Sequence, residues 1–173
     1  KRVIMKRLVL FCAAIMALGW VSCKSTGNHN PTTYDRQKVA EVIAAHDTTI
    51  LYFMTSWCGA GQSDFERNLK PYLSKASDSK AIVIGCVGEL EEVMRLDGLN
   101  DNLFLFNKVS RGSFIDRLFI NNECKKLLRD YKRVNYVPVR LVCNGKGEIL
   151  NWNADKESSS VYGLLYPYLI GWK

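Results

Sequence analysis

The chain has 173 residues, of which 47% are hydrophobic and 24% charged, with 12 Gly and 4 Pro. That length and balance fit one globular domain plus an export segment, and they exclude a disordered chain, a collagen and a coiled coil. The net charge of +7 is uneven: Lys1, Arg2, Lys6 and Arg7 stand among no acids, while beyond residue 22 the 20 basic residues face 17 acidic ones, leaving no nucleic-acid footprint.

Residues 1–22 have the form of a signal peptide. Basic residues precede the apolar run Leu8–Val21, 14 residues long, which falls short of the ~20 that a membrane span needs. Met5 is the expected start of a compact signal. The run Trp20-Val21-Ser22-Cys23 resembles the lipobox of bacterial lipoproteins, with Trp20 where Leu is usual. The resemblance implies that Cys23 is lipidated and becomes the mature N-terminus. The alternative is a secreted chain cleaved nearby, after a small residue such as Gly19. Either way the domain works outside the cytoplasm, in the bacterial envelope or periplasm, anchored to a membrane if Cys23 carries lipid.

Residues 23–34 read as a flexible tether, rich in Ser, Thr, Asn, Gly and Pro and without apolar period; His29 falls in it as a solvated residue. The folded domain is expected over 35–173. Val39, Val42, Ile43 and His46 share one face of a helix over Asp35–His46, with His46 a packing residue. Thr48–Thr55 is short, apolar and β-rich, as a strand covered on both faces should be. Gln62–Ala76 is helical in pattern, with Pro71 expected to kink it. Ala81–Val87 is a second buried strand, and Glu89–Leu96 a helix.

Asn102–Phe106 is a short strand candidate. Ser113–Lys132 reads as one long helix carrying Ile120, Cys124, Leu127, Leu128 and Tyr131 at helical spacing. Val139–Cys143 and Glu148–Trp152 pair across the turn Asn144-Gly145-Lys146-Gly147, a hairpin turn of the Asn-Gly kind. A last helix carries Val161, Leu164, Leu165 and Tyr168 and ends near Pro167. Alternating helices and strands followed by a hairpin predict an α/β fold with a central mixed sheet flanked by helices.

Chemistry points to Cys58. Strand Thr48–Thr55 runs through Ser56-Trp57 into Cys58 and then a helix, where free N–H groups and the helix dipole favour the thiolate nucleophile. The segment YFMTSWCGAGQSDFERNLKPYL resembles the active-site strand and helix of thioredoxins. RDYKRVNYVPVRLVCNGKGEIL resembles the second half of that fold, with Pro138 at the family's cis-proline. The intervening segment and the lipobox make the whole most similar to the extracytoplasmic TlpA-type branch. The resemblance implies a thioredoxin-like three-layer sandwich, with Trp57, Val137 and Pro138 shaping the groove that takes the substrate.

One departure matters: Gly61 stands where the family has its second, resolving cysteine. Of the remaining cysteines, Cys86 lies at the end of a neighbouring strand and is the best resolving candidate. Cys124 and Cys143 read as core residues, and a structural Cys86–Cys124 bridge is the alternative use of that pair. Thr55 and Cys58 give part of a peroxiredoxin signature, but Leu51 replaces its proline. No metal-ligand cluster, no phosphate loop and no cofactor is expected.

Two functions stay open at this stage. One is a thiol–disulfide oxidoreductase working through Cys58 alone on protein or small-molecule thiols and disulfides. The other is a binding module of the cell envelope that keeps the groove without turnover.

Overall fold

All of Thr49–Thr55 is buried in strand β2 (Thr48–Thr55), which explains a run with no polar alternation. The computed structural model describes residues 30–73, 80–90 and 102–152. The signal segment with Cys23 and His29, the Glu89–Leu96 helix beyond Leu90 and the final helix near Pro167 fall outside the described residues.

The elements in chain order are β1 (Thr32–Thr33), α1 (Arg36–Ala45), β2, α2 (Gly59–Asp64), a π-helical turn (Phe65–Leu69) and α3 (Lys70–Leu73). They continue with β3 (Lys80–Val87), β4 (Leu103–Lys108), α4 (Ser113–Leu127), β5 (Val139–Asn144) and β6 (Ile149–Trp152). The sheet order is β1-β4-β3-β2-β5-β6. The first four are mutually parallel; β5 runs antiparallel to its neighbours β2 and β6.

Strand alternation splits the core into two layers. Ile50, Tyr52, Met54, Ile82, Ile84 and Cys86 pack with Phe65, Leu69 and Leu73. Leu51, Phe53, Val83 and Val87 face the other way, onto Val39 and Ile43 of α1 and Ile120 and Cys124 of α4. Helix, sheet, helix is therefore the layering, an α/β sandwich around a central mixed sheet.

Local chemistry sets the element ends. The Asp35 carboxylate accepts from the Gln37 and Lys38 amides and caps α1. His46 ends that helix, its Nδ1 2.8 Å from the Val42 carbonyl oxygen. Pro71 has no amide hydrogen for the helical ladder, and the ladder widens into the π turn just ahead of it.

Four expectations need correction. The folded part starts earlier than residue 35, because Thr32–Thr33 pairs with Phe106 and Asn107 of β4. Tyr34 then packs on Phe53, Phe106 and Phe119. Its hydroxyl donates to buried Glu123, which also accepts from Arg36 Nε at 2.5 Å.

Secondly, α4 stops at Leu127 rather than Lys132. Leu128 turns extended and Asp130 takes φ 58°, so that Arg129 can bridge to Glu148. Leu128 and Tyr131 still reach the same core layer. Thirdly, the hairpin turns through Gly147 at φ 73°, with Asn144 Oδ1 accepting from the Lys146 and Glu148 amides. The left-handed residue is Gly147, and neither Asn144 nor Gly145 takes the positive φ that a turn of the Asn-Gly kind needs. Lastly, Cys86 and Cys124 are free thiols on opposite layers of the core, which rules out a bridge between them here.

Candidate active site

Cys58 is the residue at which β2 hands over to α2. It holds the N-cap position at φ −90° and ψ 94°, its carbonyl accepting from the Gln62 amide at 3.0 Å. Its own amide donates to the Thr55 carbonyl at 3.3 Å. The Gln62 side chain reaches back to the Ser56 carbonyl, closing the loop from the other side. The Cys58 thiol is half-buried and donates to the Val137 carbonyl at 4.0 Å.

Val137 precedes a cis peptide bond to Pro138 at the head of β5. Because β5 pairs antiparallel with β2, its first residues lie beside the end of β2. Cys58, Val137 and Pro138 are thereby brought together from positions about eighty residues apart in the chain.

Trp57 is the exposed neighbour, and a buried acid fixes it. Asp116, in the first turn of α4, accepts from Trp57 Nε1 at 2.9 Å, Ser110 Oγ at 2.5 Å and the Arg111 amide at 2.9 Å. Desolvation pushes the Asp116 carboxyl up, but these three donors together outweigh it and hold the carboxyl below its ordinary range.

A second brace lies under the helix. Tyr52 donates to Asp64 at 2.9 Å and to the Gly61 carbonyl at 3.2 Å, and Arg140 Nη1 meets Asp64 Oδ1 at 2.8 Å. It ties β2, α2 and β5 together beneath the cysteine.

On the Val137 side, buried Asn121 of α4 orders the incoming loop. Its Oδ1 accepts from the Val134 amide at 2.9 Å and from the Tyr131 hydroxyl at 3.0 Å; its Nδ2 donates to the Val134 carbonyl at 3.0 Å. Sequence reading singled out neither Asp116 nor Asn121. Their one signal was a polar residue breaking the apolar face of a helix.

The other thiols are placed differently. Cys86, Cys124 and Cys143 are all buried, and desolvation pushes each of them up to about 12; Asp116 adds to the effect at Cys86. The candidate resolving residue, Cys86, sits beside Met54 on the layer facing α2. Among the described residues no group of His, Cys, Asp and Glu is gathered as a metal would need, and no helix is long and apolar enough to cross a membrane.

No protein-family profile and no curated protein matches the chain. Among solved structures it is similar to a thiol:disulfide interchange protein of the thioredoxin family from Chlorobium tepidum TLS, at 12% identity and TM-score 0.44, over 76% of this chain and 84% of that one. A thiol:disulfide interchange protein from Bacteroides sp. aligns at 12% identity and TM-score 0.42, over 75% and 78% of the two chains. Thioredoxin from Wuchereria bancrofti aligns at 17% identity and TM-score 0.38, over 66% and 73%.

Proposed function

We propose that this chain is an extracytoplasmic thiol–disulfide exchange protein that acts through Cys58 alone. The supporting observation is the accessibility of that one thiol. Of the four described cysteines only Cys58 reaches the surface, and it does so beside the Val137 carbonyl and the cis-proline.

The Cys58 thiolate attacks one sulfur of a substrate disulfide. A Cys58–substrate disulfide forms and the other substrate sulfur leaves as a thiolate, taking a proton from water. Gly61 offers no second thiol to break this adduct. A different thiolate of the substrate can attack the substrate's sulfur and expel Cys58, which rearranges the disulfide with no net electron transfer. Two external thiols can instead reduce the substrate and leave joined as their own disulfide. Trp57, Val137 and Pro138 border the groove in which the substrate chain lies.

Cys23 completes the reading as the lipid anchor that holds the domain at an envelope membrane. Intact mass of membrane-extracted protein should show acyl chains on a polypeptide beginning at Cys23, and an unmodified chain beginning upstream of it would remove the anchor. For the exchange itself, a scrambled or glutathionylated protein substrate is incubated with wild type and Cys58→Ser, with and without glutathione. Wild type should accumulate a mixed disulfide at Cys58 that glutathione clears. If both proteins are equally inert, the missing thiol at 61 favours the second reading, a groove that binds without turnover.

A further inference from the structure

Four of the five large apolar side chains that the described residues leave exposed fall together. Trp57 is 43% accessible, Val109 82%, Phe114 66% and Ile115 50%; only Leu150 lies elsewhere. Val109, Phe114 and Ile115 belong to the β4–α4 connection and the first turn of α4. Asp116 ties that connection to Trp57, since the Ser110 hydroxyl, the Arg111 amide and the indole all converge on one carboxylate. The apolar strip therefore begins next to the reactive cysteine and is fixed in place.

Its charge is one-sided. Lys108, Arg111 and Arg117 flank the strip, and Asp116, the acid among them in sequence, is buried beneath it. A cleft of about 610 Å³ adjoins it, walled by Ser56, Lys108, Val109, Ser110 and Arg111, with Glu89 as an opposing acid. Exposed apolar groups in one patch, with Arg at the rim, are the composition of a recognition surface.

We propose that the Val109–Ile115 strip, with the cleft beside it, docks an extended segment of a partner protein that carries apolar and acidic side chains. Apolar side chains of the segment lie on Phe114 and Ile115 and enter the cleft, while its carboxylates meet Lys108, Arg111 and Arg117. The strip's Trp57 end adjoins Cys58, so a segment held along it presents its cysteine to that thiol. This rests on the exchange reading of that site. A lipid surface or a second copy of the chain on the same strip would cover Trp57 and shut Cys58 from substrate, which favours the polypeptide.

Binding is measured on the full chain bearing Cys58→Ser, so that no exchange is needed. The probe is a dye-labelled extended peptide alternating Leu with Glu, followed by fluorescence anisotropy, against the same peptide with Lys for Glu. Phe114→Ser with Ile115→Ser should weaken the acidic peptide roughly tenfold or more. Arg111→Glu should weaken it about fivefold, an effect that shrinks as ionic strength rises above about 0.15 M. These side chains are exposed, and Val109→Ser gives an independent third variant.

Equal affinity for the Glu and Lys peptides, or variants that bind as wild type does, overturns the proposal. So does co-sedimentation with phosphatidylglycerol vesicles, or self-association in ultracentrifugation, that the same variants abolish while peptide binding is absent. A chain that binds the acidic peptide by this strip but exchanges no disulfide would leave the docking surface standing and remove the exchange reading.

Discussion

A Cβ placed on Gly61 would lie 3.7 Å from the Cys58 Sγ and 3.7 Å from the Cys58 Cβ. Disulfides hold their two Cβ atoms ~3.5–4.5 Å apart, so α2 still presents position 61 at bridging distance from the nucleophile. The nearest other atom, Pro138 Cδ at 3.6 Å, is in ordinary contact. Gly61→Cys should thus oxidise to an intramolecular bridge with Cys58, read as the loss of both thiols to alkylation. The mixed disulfide seen with wild type should no longer accumulate. A Gly61→Cys protein that keeps two free thiols under mild oxidant contradicts the geometry.

Gly61 has no positive φ, so it keeps its place without needing the freedom of glycine. Gly61→Ala should raise stability by about 0.5–1 kcal/mol, from helix propensity and a stiffer unfolded chain. Urea unfolding of the two proteins measures this. A loss of stability would mean that the added methyl cannot be accommodated between Cys58 and Pro138.

The described thiols should separate cleanly on alkylation. Iodoacetamide at neutral pH should label Cys58 in the native protein within minutes. Cys86, Cys124 and Cys143 should react only in denaturant, because each is buried and its thiol is pushed up to about 12. Peptide mapping by mass spectrometry reports the four positions separately. Native labelling of Cys86 at a rate like that of Cys58 would restore it as an accessible resolving candidate.

What the sequence made legible follows from its periodicities. β2 was readable to its ends because both faces are buried, and α1 because Asp35 caps an apolar face. Cys58 was readable because a strand-to-helix junction is a local feature. β1 was not, since Thr32–Thr33 has no pattern of its own and is a strand only through β4. The end of α4 was misplaced because Leu128 and Tyr131 keep helical spacing while following a different path to the same core layer. Asp116 and Asn121 were invisible for a related reason: their value lies in backbone and indole groups that arrive from distant parts of the chain.

Asn121 illustrates that dependence and can be tested. Its amide satisfies both the N–H and the C=O of Val134, three residues before Val137, so Asn121→Ala leaves both unpaired near the core. The expected cost is about 2–3 kcal/mol, summed over the lost bonds. Asn121→Asp keeps the acceptor for the Val134 amide but loses the donor to its carbonyl, and should fall between. Equilibrium unfolding gives the order; an Asn121→Ala protein as stable as wild type would show that the loop is held by other contacts.

Acid should weaken this fold through two buried carboxylates that grip its edges. Asp116 and Glu123 are both raised by desolvation, but their hydrogen bonds prevail and leave each below its ordinary value, 3.8 for Asp116 and 4.5 for Glu123. Arg111, Ser110 and Trp57 do this for Asp116, and chiefly Arg36 and Tyr34 for Glu123. A depressed carboxyl makes the unfolded chain the better proton binder, so the stability it supplies is complete above the ordinary value. It is lost as pH falls through the folded one. Urea midpoints taken from about pH 7 down to about pH 3 should therefore hold steady and then drop below about pH 4.5. Asp116→Asn and Glu123→Gln should each start lower and fall less over the same range. Asp116→Asn should also change the fluorescence of Trp57, whose indole keeps only an amide oxygen as acceptor, while Glu123→Gln should not. A wild-type curve that runs flat to the acid limit, or variants that fall in parallel with it, would place the acid sensitivity elsewhere.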